Sequence, residues 1–356
     1  MKLKDWFWAI LGLIFLGIRY LASLFPEVTD RIYSEGIFLW IRQIIDQTLG
    51  RLPFPSVYFF WISVILVLIY FIRQLGTRST LRHKLGYTFR ATLNGTGALV
   101  FFFLVLWGFN YQRVPVVEKL GLDIRPLELE EVKEELLETE SELNRLRAMI
   151  KSDTTAIDDP WDYPELEADV RKELENQLHL LELIYAGRPR TKQFPPTGLM
   201  RRLGILGIYW PFTGESYIDA ALHPLEKPFT IAHELSHSVG VTDEGEANFV
   251  AWVVGSESDN VYLNYASQLR LILYLMRDFS RMDSEGYSDW VKDLNRGIVN
   301  DILSIRANAD KYPPIALEFS RAANNVFLKT QGVKEGVKSY QQMPILVYAW
   351  KSRNSQ

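Results

Sequence analysis

The sequence predicts a mainly α-helical chain with a small β-hairpin or sheet, in which N-terminal transmembrane helices precede an α+β domain. Three observations carry this. Stretches 52–72 and 91–112 are uncharged, each over the roughly twenty residues that cross a hydrocarbon core. Most of the remaining chain repeats apolar residues at spacings of three and four, the period of a helix. One segment, 204–221, instead alternates its apolar residues about Pro211 and Gly214, as a hairpin does.

The membrane region, 1–112, is read as about three transmembrane helices at 6–25, 54–72 and 91–111. The first carries Arg19, whose stem lets the charge reach the interface. Lys2 and Lys4 ahead of it also suit a signal peptide, but no small-x-small cleavage site is evident, and an uncleaved span is expected. Arg73, Arg78, Arg82, Lys84 and Arg90 lie between the second and third spans, and acidic residues are absent from Arg51 to Val117. That loop is expected on the cytoplasmic side, which places everything after Gln112 outside. Near 34–49, Ile37, Trp40, Ile41, Ile44, Ile45 and Leu49 form an apolar stripe, either of an interfacial helix or of one packed on the spans.

A net charge of −4 gives no hint of nucleic-acid binding. Cysteine is absent, so any metal must be held by His, Asp or Glu. Residues 113–190 are read as a helical hairpin serving as support or lid. Leu129, Val132, Leu136, Leu143, Leu146 and Ile150 make one stripe, with a solvated acidic face over 128–142. After Asp158-Asp159-Pro160, Pro164 opens a second helix with Leu166, Val170, Leu174, Leu178 and Leu181 on one side. A Pro-rich basic linker, 188–196, leads to expected strands at Ile208-Tyr209-Trp210 and around Tyr217, Ile218 and Ala220. From Asn260 to about Thr330 the periodicity is helical again, as in Leu269, Ile272, Leu273 and Met276.

Within this domain His233-Glu234-Leu235-Ser236-His237 places two imidazoles at i and i+4 on one helix face, where both reach a single metal. Phe229, Ile231, Ala232, Leu235 and Val239 follow helical spacing around it. A catalytic zinc takes three protein ligands and keeps one position open, so a third donor is required. Gly240 can end the helix in a left-handed cap and let the chain turn back before Asp243, Glu244 and Glu246. Glu246 opens a second helix and is a candidate. Asp243, at the metzincin spacing HExxHxxGxxD, is a rival, although Met282 and Met343 do not suit a methionine turn. Asp243 and Glu246 also read as a capping box, which needs no metal.

The run from Phe229 to His237, then Gly240, then Glu244-Gly245-Glu246-Ala247-Asn248-Phe249 resembles an uncharacterised family of bacterial membrane proteins, a domain of unknown function with a gluzincin-like zinc site. The exit Trp107-Gly108-Phe109-Asn110-Tyr111-Gln112-Arg113 and the late Ser339-Tyr340 resemble it too. The resemblance implies a zincin-like (gluzincin-like) catalytic domain over 191–356 in the bacterial inner membrane, with the catalytic side extracytoplasmic. It implies a zinc-dependent metallopeptidase and favours His233, His237 and Glu246 as Zn²⁺ ligands. Gly245 departs from the acidic residue usual there, which keeps Glu244 in play.

On this reading Glu234 is the general base for water activated by zinc, and peptides or envelope proteins near the lipid bilayer are the substrates. Tyr340, Tyr262 and Tyr217 are candidates to stabilise the oxyanion. Asn248 and Asp243 are candidates to orient the imidazoles, and His223 is read as structural. The competing expectations are a non-catalytic membrane scaffold or metal-binding protein, and a zinc amidase acting on cell-wall material.

Overall fold

The computed structural model describes residues 3–331 and 342–354, and the chain divides into two compact units. The first comprises 1–114, 186–189 and 210–215. Its helices are α1 (Phe7–Leu24), α2 (Pro26–Thr29), α3 (Phe38–Thr48), α4 (Val57–Gly76) and α5 (Leu81–Leu106), with a π-helical stretch, Asp30–Ile37, leading into α3. Three helical stretches, Leu3–Leu24, Val57–Gly76 and Leu81–Leu106, are long and apolar enough to cross a membrane, and few of their residues are buried. Apolar surface on this scale is what lipid-facing helices present. Glycines set the approach of α1 to α5: a Cβ on Gly97 would lie 2.2 Å from the Trp8 carbonyl oxygen.

The third span differs from the expected 91–111, because its helix starts ten residues earlier and ends at Leu106. Hydropathy cannot see the first turns, which carry Arg82, Lys84 and Arg90, yet the Thr80 hydroxyl caps them by accepting from His83 N at 3.4 Å. Of the stripe residues, Ile37 at the end of the π-helical stretch and Trp40 and Ile44 of α3 are exposed, while Phe38, Arg42 and Asp46 are buried. Arg42 pairs with Asp46 at 2.5 Å and donates to the Gly214 carbonyl at 2.6 Å. Gly214 has φ +64°, and a Cβ there would meet that guanidinium at 2.6 Å. Ser56 N and Oγ donate to Glu215 at 2.8 and 2.7 Å. Phe212 stacks on Phe60 of α4, and Trp210 meets the same ring edge-on.

The second unit comprises 115–185, 190–209 and 216–356. In order it holds α6 (Val116–Lys119), α7 (Leu129–Ile150), α8 (Tyr163–Gln177), β1 (Thr191–Phe194), α9 (Leu199–Arg202), β2 (Gly207–Trp210) and β3 (Glu215–Asp219). Then come α10 (Lys227–Ser238), α11 (Glu244–Ser256), α12 (Val261–Met282), α13 (Ser284–Asp293), α14 (Arg296–Asp310), α15 (Leu317–Gln331) and α16 (Met343–Asn354). Trp210 and Glu215, at the tip of the β2–β3 hairpin, are counted in the first unit. Among the described residues the sheet has the order β1-β3-β2.

The hairpin agrees with the sequence, with Ala220 falling just past β3. β1 does not: the expected linker contains a strand that pairs parallel to β3, Thr191 opposite Ser216. Its four residues, Thr-Lys-Gln-Phe, are too few and too polar to alternate visibly. The expected helical hairpin over 113–190 is also dispersed. α7 packs along α12, and α8 packs on α10 and α11. One core joins Leu136 and Leu143 of α7, Leu174 of α8, Leu235 of α10, Phe249 of α11 and Ile272 of α12. The acidic run on α7 is partly paired, Glu131 with Arg125 and Glu135 with Lys351.

Candidate metal centre

α10 is buried over nearly its whole length, because Phe229, Ile231, Ala232 and Leu235 sit in the core while its remaining face carries the histidines. Pro228 stands in the first turn, where a missing N–H costs nothing. At the other end Gly240 adopts φ +91°, its N–H bonds the His237 carbonyl at 3.1 Å, and Val241 N bonds the Ser236 carbonyl at 3.2 Å. This Schellman closure reverses the chain within five residues and delivers α11 beside α10. Asp243 caps α11, accepting from Gly245 N at 2.8 Å and Glu246 N at 3.0 Å.

Capping fixes the phase of α11, and Glu244 in its first turn faces the histidines. Glu244 Oε2 lies 3.2 Å from His233 Nε2 and 3.4 Å from His237 Nε2. Donor atoms of His233, His237 and Glu244 all lie within 4.8 Å of one another. Tetrahedral zinc with bonds of about 2.05 Å would separate its donors by roughly 3.3 Å, so these two spacings, which also suit hydrogen bonds, are compatible with that ion. The His237 Nδ1 lies 2.8 Å from the Val241 carbonyl. A carbonyl only accepts, so Nδ1 carries a proton, and only the neutral imidazole would turn an Nε2 lone pair to the cluster.

Charge and burial oppose one another here. Burial works against the His237 imidazolium, but the Glu244 carboxylate overcomes it and raises the group. Burial lifts Glu244 as well, and the two imidazoles more than reverse this, holding it well below the usual carboxylate range. Burial lowers His233. At Glu234 burial outweighs the opposing pull of His237, the Glu244 charge adds to it, and the group is pushed up to about 8. Its Oε2 is buried with no hydrogen-bond partner among the described residues. The carboxyl fits because β2 begins with a glycine: a Cβ on Gly207 would lie 2.4 Å from Glu234 Oε1. Ser216 of β3 ties the sheet to α10, donating from Oγ to the Glu234 carbonyl at 2.8 Å.

The cluster brings together His233, His237 and Glu244, with Glu234 alongside in α10, and it leaves out Glu246. Residues two apart on a helix point about 200° from each other, so Glu244 and Glu246 cannot both face α10. Glu246 instead accepts at Oε1 from Val117 N, 3.0 Å away, at the start of α6. Asp243 serves as the cap, and Asn248 is buried. Tyr217 is buried edge-on to Phe194, and Tyr262 packs edge-on to Trp161. Tyr340 lies outside the described residues. His223 bonds Ser304 Oγ at 3.0 Å and Leu225 N at 3.2 Å, a structural setting.

A family described as "Protein of unknown function (DUF3810)" matches residues 33–348. No curated protein and no solved structure matches the chain.

Proposed function

The chain belongs to this family of proteins of unknown function, and we propose that it is a membrane-anchored, zinc-dependent metallopeptidase of gluzincin-like type. The observation that carries the reading is the buried Oε2 of Glu234, without a partner among the described residues, beside the His233–His237–Glu244 cluster. A purely structural metal site closes with a fourth ligand and has no use for such a carboxyl.

His233, His237 and Glu244 would hold Zn²⁺, which when bound supplies Lewis-acid activation of water and of a scissile carbonyl. Beside the dication Glu234 would be drawn down from its raised value and left ionised, and its Oε2 then takes the proton of the attacking water and returns it to the leaving amine. β2, an edge of the sheet that starts beside Glu234 at Gly207, pairs with the extended substrate backbone. The basic loop between α4 and α5 is cytoplasmic, and the second unit works outside, on peptides or envelope proteins near the bilayer.

Zinc analysis of the full chain in detergent tests the site. The wild type should carry about one equivalent, His233→Ala and Glu244→Ala should lose it, and Glu246→Ala should keep it. Glu234→Gln should retain zinc while hydrolysis of a casein-derived peptide mixture falls by about 10²–10⁴-fold. A folded wild type without zinc would end this reading.

A further inference from the structure

Arg270 stands near the candidate metal centre with no carboxylate of its own. It is half-buried on α12, its guanidinium 5.7 Å from the Phe229 ring centroid and 5.1 Å from that of Tyr274. Phe229 precedes His233 by one turn on α10, so the two share a face, and Arg270 is among the charges that His233 feels. Nη2 donates to the Tyr274 hydroxyl at 3.2 Å. The buried Nε has no hydrogen-bond partner, and the guanidinium has no ion pair, among the described residues. Buried arginines elsewhere are matched: Arg42 with Asp46, Arg147 with Asp301, Arg201 with Glu226.

A permanent cation beside a site where one carboxylate, Glu244, would face a dication leaves an excess of positive charge that a further anion offsets. We infer that Arg270 binds the free carboxylate of the substrate, so that chains ending in a C-terminal acid are selected. The inference rests on the metallopeptidase reading for what happens to the bound chain. Two aromatic rings fix the guanidinium plane, and its fork can donate two parallel bonds to a carboxylate. A C-terminal amide carries no charge to match, and leaves the arginine as unsatisfied as before.

The test uses the full chain in lipid nanodiscs, with zinc measured on the same samples. Calorimetric titration compares an equimolar pool of N-acetyl dipeptide acids with the same pool as C-terminal amides. The acids should bind at least about tenfold more tightly. Arg270→Gln should erase the preference, and Arg270→Lys, which keeps charge without the fork, should retain part of it even where the glutamine variant folds poorly. Equal binding of acids and amides, or binding of neither, by a zinc-containing wild type overturns the carboxylate site and leaves the metal reading standing. A wild type without zinc that still prefers acids upholds Arg270 and removes the peptidase reading.

Discussion

Two buried polar centres in the second unit are built alike and finished differently. Around Asp301 the bonding is complete: Oδ2 accepts from Arg147 Nε at 2.9 Å and Tyr265 OH at 2.5 Å, and Oδ1 from Ile157 N at 2.7 Å. Arg147 spends its other N–H groups on the carbonyls of Lys151, Asp153 and Thr155. Around Glu234 one carboxylate oxygen is buried without a partner among the described residues. Each centre relies on a glycine, since a Cβ on Gly297 would strike Arg147 Cζ at 2.3 Å as one on Gly207 would strike Glu234. The closed centre turns burial into stability. The open one holds a buried carboxylate oxygen without a partner among the described residues, a cost that a bound ligand would offset.

Asp301→Ala should therefore be the most destabilising change, by about 3–5 kcal/mol in thermal unfolding, because it leaves Arg147 buried without its counter-ion. Glu234→Gln should stay within about 1 kcal/mol of the wild type or exceed it, since no bond of the side chain is lost. Equal losses would break the contrast. Next in size, Gly207→Ala and Gly297→Ala should each cost about 1–3 kcal/mol through overpacking. Only Gly207→Ala should also cut hydrolysis, by moving Glu234, while zinc content holds in both. Glu246→Ala should cost about 1–2 kcal/mol for the stranded Val117 N–H, whereas Glu246→Gln, which keeps an acceptor oxygen, should be close to neutral.

Much of the architecture was legible because its causes are local. Apolar runs marked the three helices long and apolar enough to cross a membrane, and Gly240 announced the end of α10 because a left-handed cap favours glycine. Which of Glu244 and Glu246 faces the histidines is set by helix phase, which a family pattern does not carry. Asp243 as cap was a usable signal, as were Ala247 and Ala251, fully buried three and seven residues beyond Glu244 on the same face. The Arg147–Asp301 pair spans 154 residues and leaves no local trace. Arg270 has an ordinary place in an amphipathic helix, and only the fold sets it over Phe229.

The smallest effect concerns His223, a second closed centre that resembles a Ser–His dyad. Leu225 N donates to Nδ1, so the proton resides on Nε2, which donates to Ser304 Oγ and is unable to take a proton from it. Burial lowers the imidazole from its ordinary 6.5, against the pull of Glu226, Asp158 and Asp301, with Arg201 adding to the lowering. A depressed value means that the unfolded chain binds the proton first as pH falls. The stabilisation is therefore present above about 6.5 and is lost as pH drops through the lower folded value. Measured on chelator-treated protein, so that metal loss plays no part, the wild type should lose thermal stability below that pH and His223→Gln should lose less. Parallel pH profiles would show that His223 accepts its charge without penalty, and would class it with the open centre.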